Sequence, residues 1–413
     1  MVLGCLLPPS TRFSVSADYL AIVLIPDQER RRRLIRRHHL AASATTPKEA
    51  VSSVAAFHST DPITPYLGMR ARIRGFTIAD LDRALWDSRE LWRLHAMRRT
   101  LFIVPVEQAP HFLVGTSREI ARKERSRLLG WLEATMPRQR AETWLDELAD
   151  RTVEFLSQGG EWSTTDLTSQ VPGMATEIEI GSGRWATTTP VSSRLLLLTA
   201  IEGRILRTRP AGTWRSSQYR WAATSWWWSD PPVLDGSEVE ARRETLRQYL
   251  ASHGPATMND VRWWTGWKVS DIRAALATLP TTTVELESGD EGLILADDLE
   301  SEDPPPSPVV AFLPGLDPTP MGWKERNWYL GKHGPLVFDR NGNVGPTVWV
   351  DGRIVGGWAQ DRDGTVVYRL LEEIDADAAA RVAEEAEALT AWLDGQVVST
   401  RFPSPLEKEL APR

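Results

Sequence analysis

The chain has 413 residues, 42% hydrophobic and 25% charged, with 28 glycines and 28 prolines; this is the composition of an ordinary soluble globular protein of two to four domains and excludes a disordered or fibrous one. Lys and Arg total 48 against 55 Asp and Glu, a net charge of −7, so the protein is not basic all round and any nucleic-acid contact is confined to a local face. A single cysteine, Cys5, excludes an intramolecular disulfide and a Cys-based zinc site, and the seven histidines show no metal-ligand spacing, which points to a reducing compartment and to chemistry without metal or cofactor.

Residues 1–26 carry no basic n-region, and the apolar run 19–25 is too short to span a bilayer. They are expected to be a poorly ordered extension of a cytoplasmic protein that makes no membrane contact. A first module is expected over 27–116. Residues 27–40 hold six arginines against two acids, and the module closes with the strand-like TLFIVP. Within it, PKEAVSSVAAFHSTDPITPY (47–66) is the most informative stretch. Pro47 suits a first helical turn, and Val51, Val54, Ala55 and His58 follow at helical spacings, which predicts His58 in the last turn of a helix. Asp61-Pro62 then opens the next helix as N-cap and first-turn proline. His58 and Thr60 therefore flank a break between helices, where both side chains can enter one cleft.

A second module, 117–235, reads as a helix over 142–156 stopped by Gly159-Gly160, a capping box over 163–166, a helix over 192–202 and strands RILRTR and SQYRWA. Residues 118–127 add five basic residues against two acids. The third module, 236–300, is the plainest: helices over 238–252, 257–265 and 270–279, with stops at Gly254-Pro255 and Gly266, then TTTVELES and GLILADD. Three short helices and a hairpin make a winged helix, and tandem winged helices bind duplex DNA or connect proteins. Residues 301–307, in the run SEDPPPSP, form a linker. In 308–413, Asn341-Gly342, Asp351-Gly352 and Asp363-Gly364 predict a β meander that curls into a small barrel. An acidic helix follows it, and with ten acids against four basic residues from 371 onward this end should avoid phosphates. The 19 tryptophans are expected mainly at module junctions. The fold class is thus α+β, three tandem winged-helix modules followed by a C-terminal β-barrel-like domain.

The strings AAFHSTDPITPYL and RGFTIADLDRALWDSRELWRLHAMRRTLFIVP, with LPGLDPTPMGWKERNWYLG and VWVDGRIVGGWAQ further on, resemble the winged-helix DNA glycosylase superfamily that includes AlkZ and YcaQ. The resemblance implies a concave duplex-binding surface and, in studied members, excision of alkylated purines, including bulky adducts and interstrand crosslinks. Members carry Gln-aliphatic-Gln or Gln-aliphatic-Asp before an Asp-Pro; aligned on Asp61-Pro62, this chain has His58, Ser59 and Thr60, so His58 and Thr60 occupy the catalytic positions.

An N7-alkylated purine is already a cationic leaving group, and the protein has mainly to hold a water beneath the anomeric carbon and tolerate an oxocarbenium-like sugar. Neutral His58 could take the water's proton while Thr60 orients it. A His58 near a helix C-terminus would favour imidazolium, and activity would then fall at low pH. Arg98, Arg99, Arg122, Lys123, Lys324 and Arg326 are candidates for phosphate contacts to double-stranded DNA, bound by a monomer. Two readings follow. One is a monofunctional glycosylase; the other is a non-catalytic duplex-binding regulator or damage sensor, favoured by the His-Ser-Thr replacement. A protein-interaction scaffold is a third.

Overall fold

In the computed structural model, residues 23–411 are described, apart from 182, 184, 185, 302, 304 and 306. Most of the expected N-terminal extension, residues 1–22, and part of the linker lie outside the described residues. The end of that extension is structured, contrary to expectation. Leu24–Ile25 (β1) runs parallel to Thr281–Leu286, and Ile25 packs with Val284, Leu286 and Ile294. A strand edge of the third unit needs a partner, and the outward Leu24 and inward Ile25 supply one.

The chain is α+β. Its first unit comprises α1 (Asp27–Arg37), α2 (Pro47–Ser52), β2 (Phe57–His58), α3 (Ile63–Arg70), α4 (Ile78–Asp82), β3 (Leu91–Ala96) and β4 (Thr100–Pro105). The strands form an antiparallel sheet in the order β2-β4-β3. Thr46 caps α2 by accepting from the Glu49 N–H at 3.1 Å. The arginines of α1 do not form an open basic face. Arg33 donates to the Glu29 carboxylate (2.9 Å) and to the Asp298 carbonyl (2.9 Å), and Arg37 to the Asp298 carboxylate (2.6 Å) and the Gly254 carbonyl (3.1 Å). Arg31 reaches the Trp328 carbonyl at 2.7 Å. Helix α1 is held between the third unit and the C-terminal segment, so Arg31, Arg33 and Arg37 turn inward onto carboxylates and carbonyls, while Arg36 stays exposed.

The second unit has its own apolar core, built on helices Arg118–Leu132, Arg138–Ser157 and Ser192–Ile201. The capping box of Ser163 and Asp166 is present and opens the helix Thr164–Gln170. A hairpin the sequence did not announce, Glu177–Ile180 with Thr187–Pro190, is inserted before the helix Ser192–Ile201. The third unit follows the predicted order: helices Glu238–His253, Met258–Thr265 and Val269–Leu276, then the hairpin Thr281–Leu286 with Glu291–Leu295. Gly266 ends the middle helix at φ 71°, a left-handed C-cap that glycine adopts without strain.

The C-terminal strands Val310–Leu313, Thr347–Val350, Arg353–Gln360 and Val366–Leu370 pair as a meander. Among the described residues the last strand does not pair back to the first, so the expected barrel is an open sheet, covered by the helix Ala376–Leu393. Asp351-Gly352 and Asp363-Gly364 are hairpin turns, whereas Asn341-Gly342 closes only a bridge between Phe338 and Val344, because Gly334–Val337 is helical. Trp92 and Trp349 are buried in the main core. Among the described residues no helix is long and apolar enough to cross a membrane.

Candidate nucleic-acid interface and active site

His58 is not on a helix. Helix α2 stops at Ser52, Ala55 turns at φ 60°, and Phe57–His58 pairs with Ile103 and Phe102 of β4. The spacing of Val51 and Val54 does mark a buried side, but the chain leaves the helix before carrying it to His58. The helix-terminus argument for an imidazolium therefore falls. His58 is 7% exposed, with the Phe102 ring edge-on at 5.5 Å, and burial, helped by Arg98, pushes its pKa down to about 3. The ring is neutral at any ordinary pH. The Thr60 N–H points at Nδ1 from 3.5 Å, a long contact that leaves the ring proton on Nε2.

Ser59, the polar middle residue, is fully buried. Its N–H donates to the Leu101 carbonyl at 2.8 Å and its carbonyl accepts from Arg93 Nη2 at 2.6 Å, while its hydroxyl has no partner among the described residues. Thr60 is half-buried. Asp61 accepts from the N–H of Ile63 at 3.3 Å and of Arg401 at 2.7 Å. The helix starts one residue later than expected, with Pro62 rather than Asp61 at its N-cap; Asp61 instead holds the first helical N–H and ties α3 to the C-terminal segment.

The six candidate phosphate ligands divide into two sets. Arg99 pairs with Glu124 (3.1 Å), Arg122 with Glu238 (2.8 Å) and Lys123 with Glu119 (2.8 Å). The neighbouring Arg125 and Arg127 are likewise paired with Asp146 and Glu124, both at 2.6 Å. Four of the five basic residues of the run 118–127 are thus held in ion pairs, and Arg118 donates to the Leu234 and Gly236 carbonyls. Arg98 and Arg326 are brought together instead: their guanidinium carbons lie 4.4 and 4.7 Å from the Trp263 ring centre. Arg98 sits in the β3–β4 turn, where it and Arg99 are left-handed at φ 56° and 64°. Two strained non-glycine residues persist only where the surroundings impose them, and here Arg98 Nη1 donates to the Trp263 carbonyl at 2.9 Å. Lys324 is exposed close by, its backbone N–H held by Asp260 at 2.7 Å.

Sequence reasoning missed Arg93. It reads as one charge in a strand, and only the fold shows it buried against the Ser59 carbonyl. Trp263, one of the tryptophans expected at module junctions, is half-buried and stacked by two cations.

A family model described as DNA glycosylase AlkZ-like matches residues 51–392. Among solved structures, the Streptomyces sahachiroi DNA glycosylase AlkZ is similar at 20% identity and a TM-score of 0.66, covering 91% of this chain and 98% of that one. No curated protein matches.

Proposed function

The chain belongs to the AlkZ-like DNA glycosylase family, and from that premise we propose that it binds duplex DNA and hydrolyses the N-glycosidic bond of cationic, N7-alkylated purines, bulky and crosslinked ones included. We read the three helix-and-hairpin units as winged helices, the first of which presents Arg98 to the backbone together with Lys324 and Arg326 of the C-terminal segment. The observation that supports the reading is a neutral, buried His58 in electrostatic reach of Arg98, two residues from the half-buried Thr60. As the glycosidic bond breaks, its electron pair passes to the cationic purine, which leaves neutral. Water held by the Thr60 hydroxyl captures the oxocarbenium carbon, and the oxonium so formed, acidic enough to protonate a weakly basic ring, passes its proton to His58 as Nδ1 gives up the long contact from the Thr60 N–H. A neutral ring avoids setting a cation against the developing charge on the sugar. The expected fall of activity at mildly low pH does not follow from a histidine that titrates near 3.

The burial of His58 favours a second reading, a duplex-binding protein without base release. The test is release of modified base from duplex DNA treated with N7-alkylating and crosslinking agents, wild type against His58→Ala, scored by alkaline cleavage at abasic sites. Release that the variant loses supports the glycosylase. No release, with salt-sensitive duplex binding intact, supports the second reading.

A further inference from the structure

One indole gathers two arginines from different parts of the chain. Trp263 sits on the helix Met258–Thr265 of the third unit. Arg98, from the β3–β4 turn, places its guanidinium carbon 4.4 Å from the indole centre, and Arg326, from the C-terminal segment, places its own at 4.7 Å. Arg326 also lies 4.4 Å from the Phe338 ring. Each arginine is fixed by one nitrogen on a carbonyl, Arg98 Nη1 on Trp263 at 2.9 Å and Arg326 Nε on Trp323 at 2.7 Å. Their other guanidinium nitrogens make no hydrogen bond to the described protein, and neither side chain has a carboxylate partner among the described residues. The acids of the neighbourhood are committed elsewhere: Asp260 Oδ1 accepts from the N–H groups of Lys324 (2.7 Å) and Glu325 (2.8 Å), and the Glu325 carboxylate accepts from Asn259. Arg98 is exposed and Arg326 half-buried. Arg98 also comes close to the end of the helix, where a Cβ at position 266 would lie 3.0 Å from its Cγ.

A long cationic side chain loses rotamer freedom when it grips a phosphate, and a ring that already fixes it reduces that loss. Stacking on a π-face also lets two like charges stand near each other until an anion neutralises them. We propose that Trp263 is a positioning residue that holds Arg98 and Arg326 as a clasp for two consecutive phosphates of one DNA strand, the strand whose nucleotide is presented to His58 and Thr60. This deepens the duplex-binding reading above and rests on it. Two guanidiniums that share one ring are spaced for neighbouring phosphates, which rise about 3.4 Å per nucleotide along the axis, rather than for phosphates a helical turn apart. The free edge of each offers donors to phosphate oxygens. The turn that carries Arg98 leads into β4, to which His58 is paired at Phe102, so the clasp adjoins the candidate catalytic turn. Because the two arginines come from different parts of the chain, the indole of a third sets their spacing.

The test uses the full chain and a duplex with one tetrahydrofuran abasic analogue, with methylphosphonate replacing one linkage at a time on either strand. Affinity is read by fluorescence anisotropy at fixed salt. For wild type, two consecutive linkages on the analogue's strand should each cost about tenfold. Arg98→Gln should lose about tenfold on the unmodified duplex and become insensitive at one of these linkages, and Arg326→Gln at the other. Trp263→Leu keeps both charges; it should lose about tenfold and flatten both positions, whereas Trp263→Phe, which keeps an aromatic face, should hold the wild-type profile within about threefold in affinity. A tryptophan that serves packing alone would lower the thermal midpoint in Trp263→Leu and leave the linkage profile of wild type. That profile in Trp263→Leu overturns the proposal, and so do sensitive linkages that are not consecutive or that lie on opposite strands. If Trp263→Leu does not fold, Trp263→Phe and the two arginine variants decide by the same profiles. If wild type binds no duplex, calorimetry with inorganic pyrophosphate separates the two failures: binding that Arg98→Gln and Arg326→Gln each weaken retains the clasp and removes only the duplex reading, and no binding overturns both.

Discussion

The Arg72 guanidinium grips the Asp317 carboxylate through two hydrogen bonds, Nη1 to Oδ2 at 2.8 Å and Nη2 to Oδ1 at 2.7 Å, with neither side chain exposed. The Phe57 ring lies 5.1 Å from the same guanidinium, so the pair sits directly behind β2 and joins the turn after α3 to the C-terminal segment. Removing one partner of a buried pair leaves an uncompensated charge, a loss of about 3–5 kcal/mol. Asp317→Asn should lose that much stability in urea unfolding, and Arg72→Met added to it should recover part. An Asp317→Asn protein within about 1 kcal/mol of wild type would contradict the pairing.

Stability should also fall with acid, first through buried histidines and, at lower pH, through carboxylates such as Asp80 and Glu238, which hydrogen bonds from Thr77 and Arg122 hold below their usual range. His38, His58, His95 and His253 are all buried, and burial lowers the pKa of each below 6.5; His58 and His253 fall to about 3. The unfolded chain therefore binds more protons than the fold below pH 6.5, and stability present above 6.5 is lost progressively toward pH 3. At pH 5 a histidine displaced from 6.5 to about 3 accounts for about 2 kcal/mol. Thermal midpoints should be flat from pH 8 to 7 and drop steeply below 6, and His253→Asn should make the drop shallower. An unchanged slope in that variant would remove His253 from the cause.

The third unit was legible in the sequence because its stops are chemical. Gly266 needs the left-handed conformation, and Thr257 with Asp260 forms a capping box visible as spacing alone. His58 was legible as a position but not as an environment. The helical spacing from Val51 is genuine burial, yet Ala55 at φ 60° breaks the helix and a strand pairing with β4 takes over, a long-range contact that local periodicity cannot register. The basic runs misled for a related reason. Some of their acids, Asp298 for α1 and Glu238 for Arg122, lie far off in the chain, so those pairings appear only after folding.

That division of cations predicts the DNA footprint. Arg98 and Arg326 have no ion-pair partner among the described residues, whereas Arg122 and Lys123 are held by Glu238 and Glu119. Replacing a phosphate-contacting cation lowers the slope of log affinity against log salt by about 1. Arg98→Gln and Arg326→Gln should each do so on an intact duplex, and Arg122→Gln and Lys123→Gln should leave the slope unchanged. The reverse ranking would place the DNA on the Arg118–Leu132 helix instead.

Thr60→Val separates chemistry from architecture. The Thr60 side chain is half-buried and its hydroxyl makes no hydrogen bond to the described protein, so an isosteric valine should leave stability within about 0.5 kcal/mol. If that hydroxyl holds the attacking water, base release in single turnover should fall by about 10²-fold at unchanged duplex affinity. His58→Gln restores a side chain with a carbonyl oxygen that can still accept from the water, and should release base where His58→Ala does not. Release by Thr60→Val at the wild-type rate would take the water from Thr60. The Ser59 hydroxyl, buried and without a partner among the described residues, would then join His58 as a group in the turn to test.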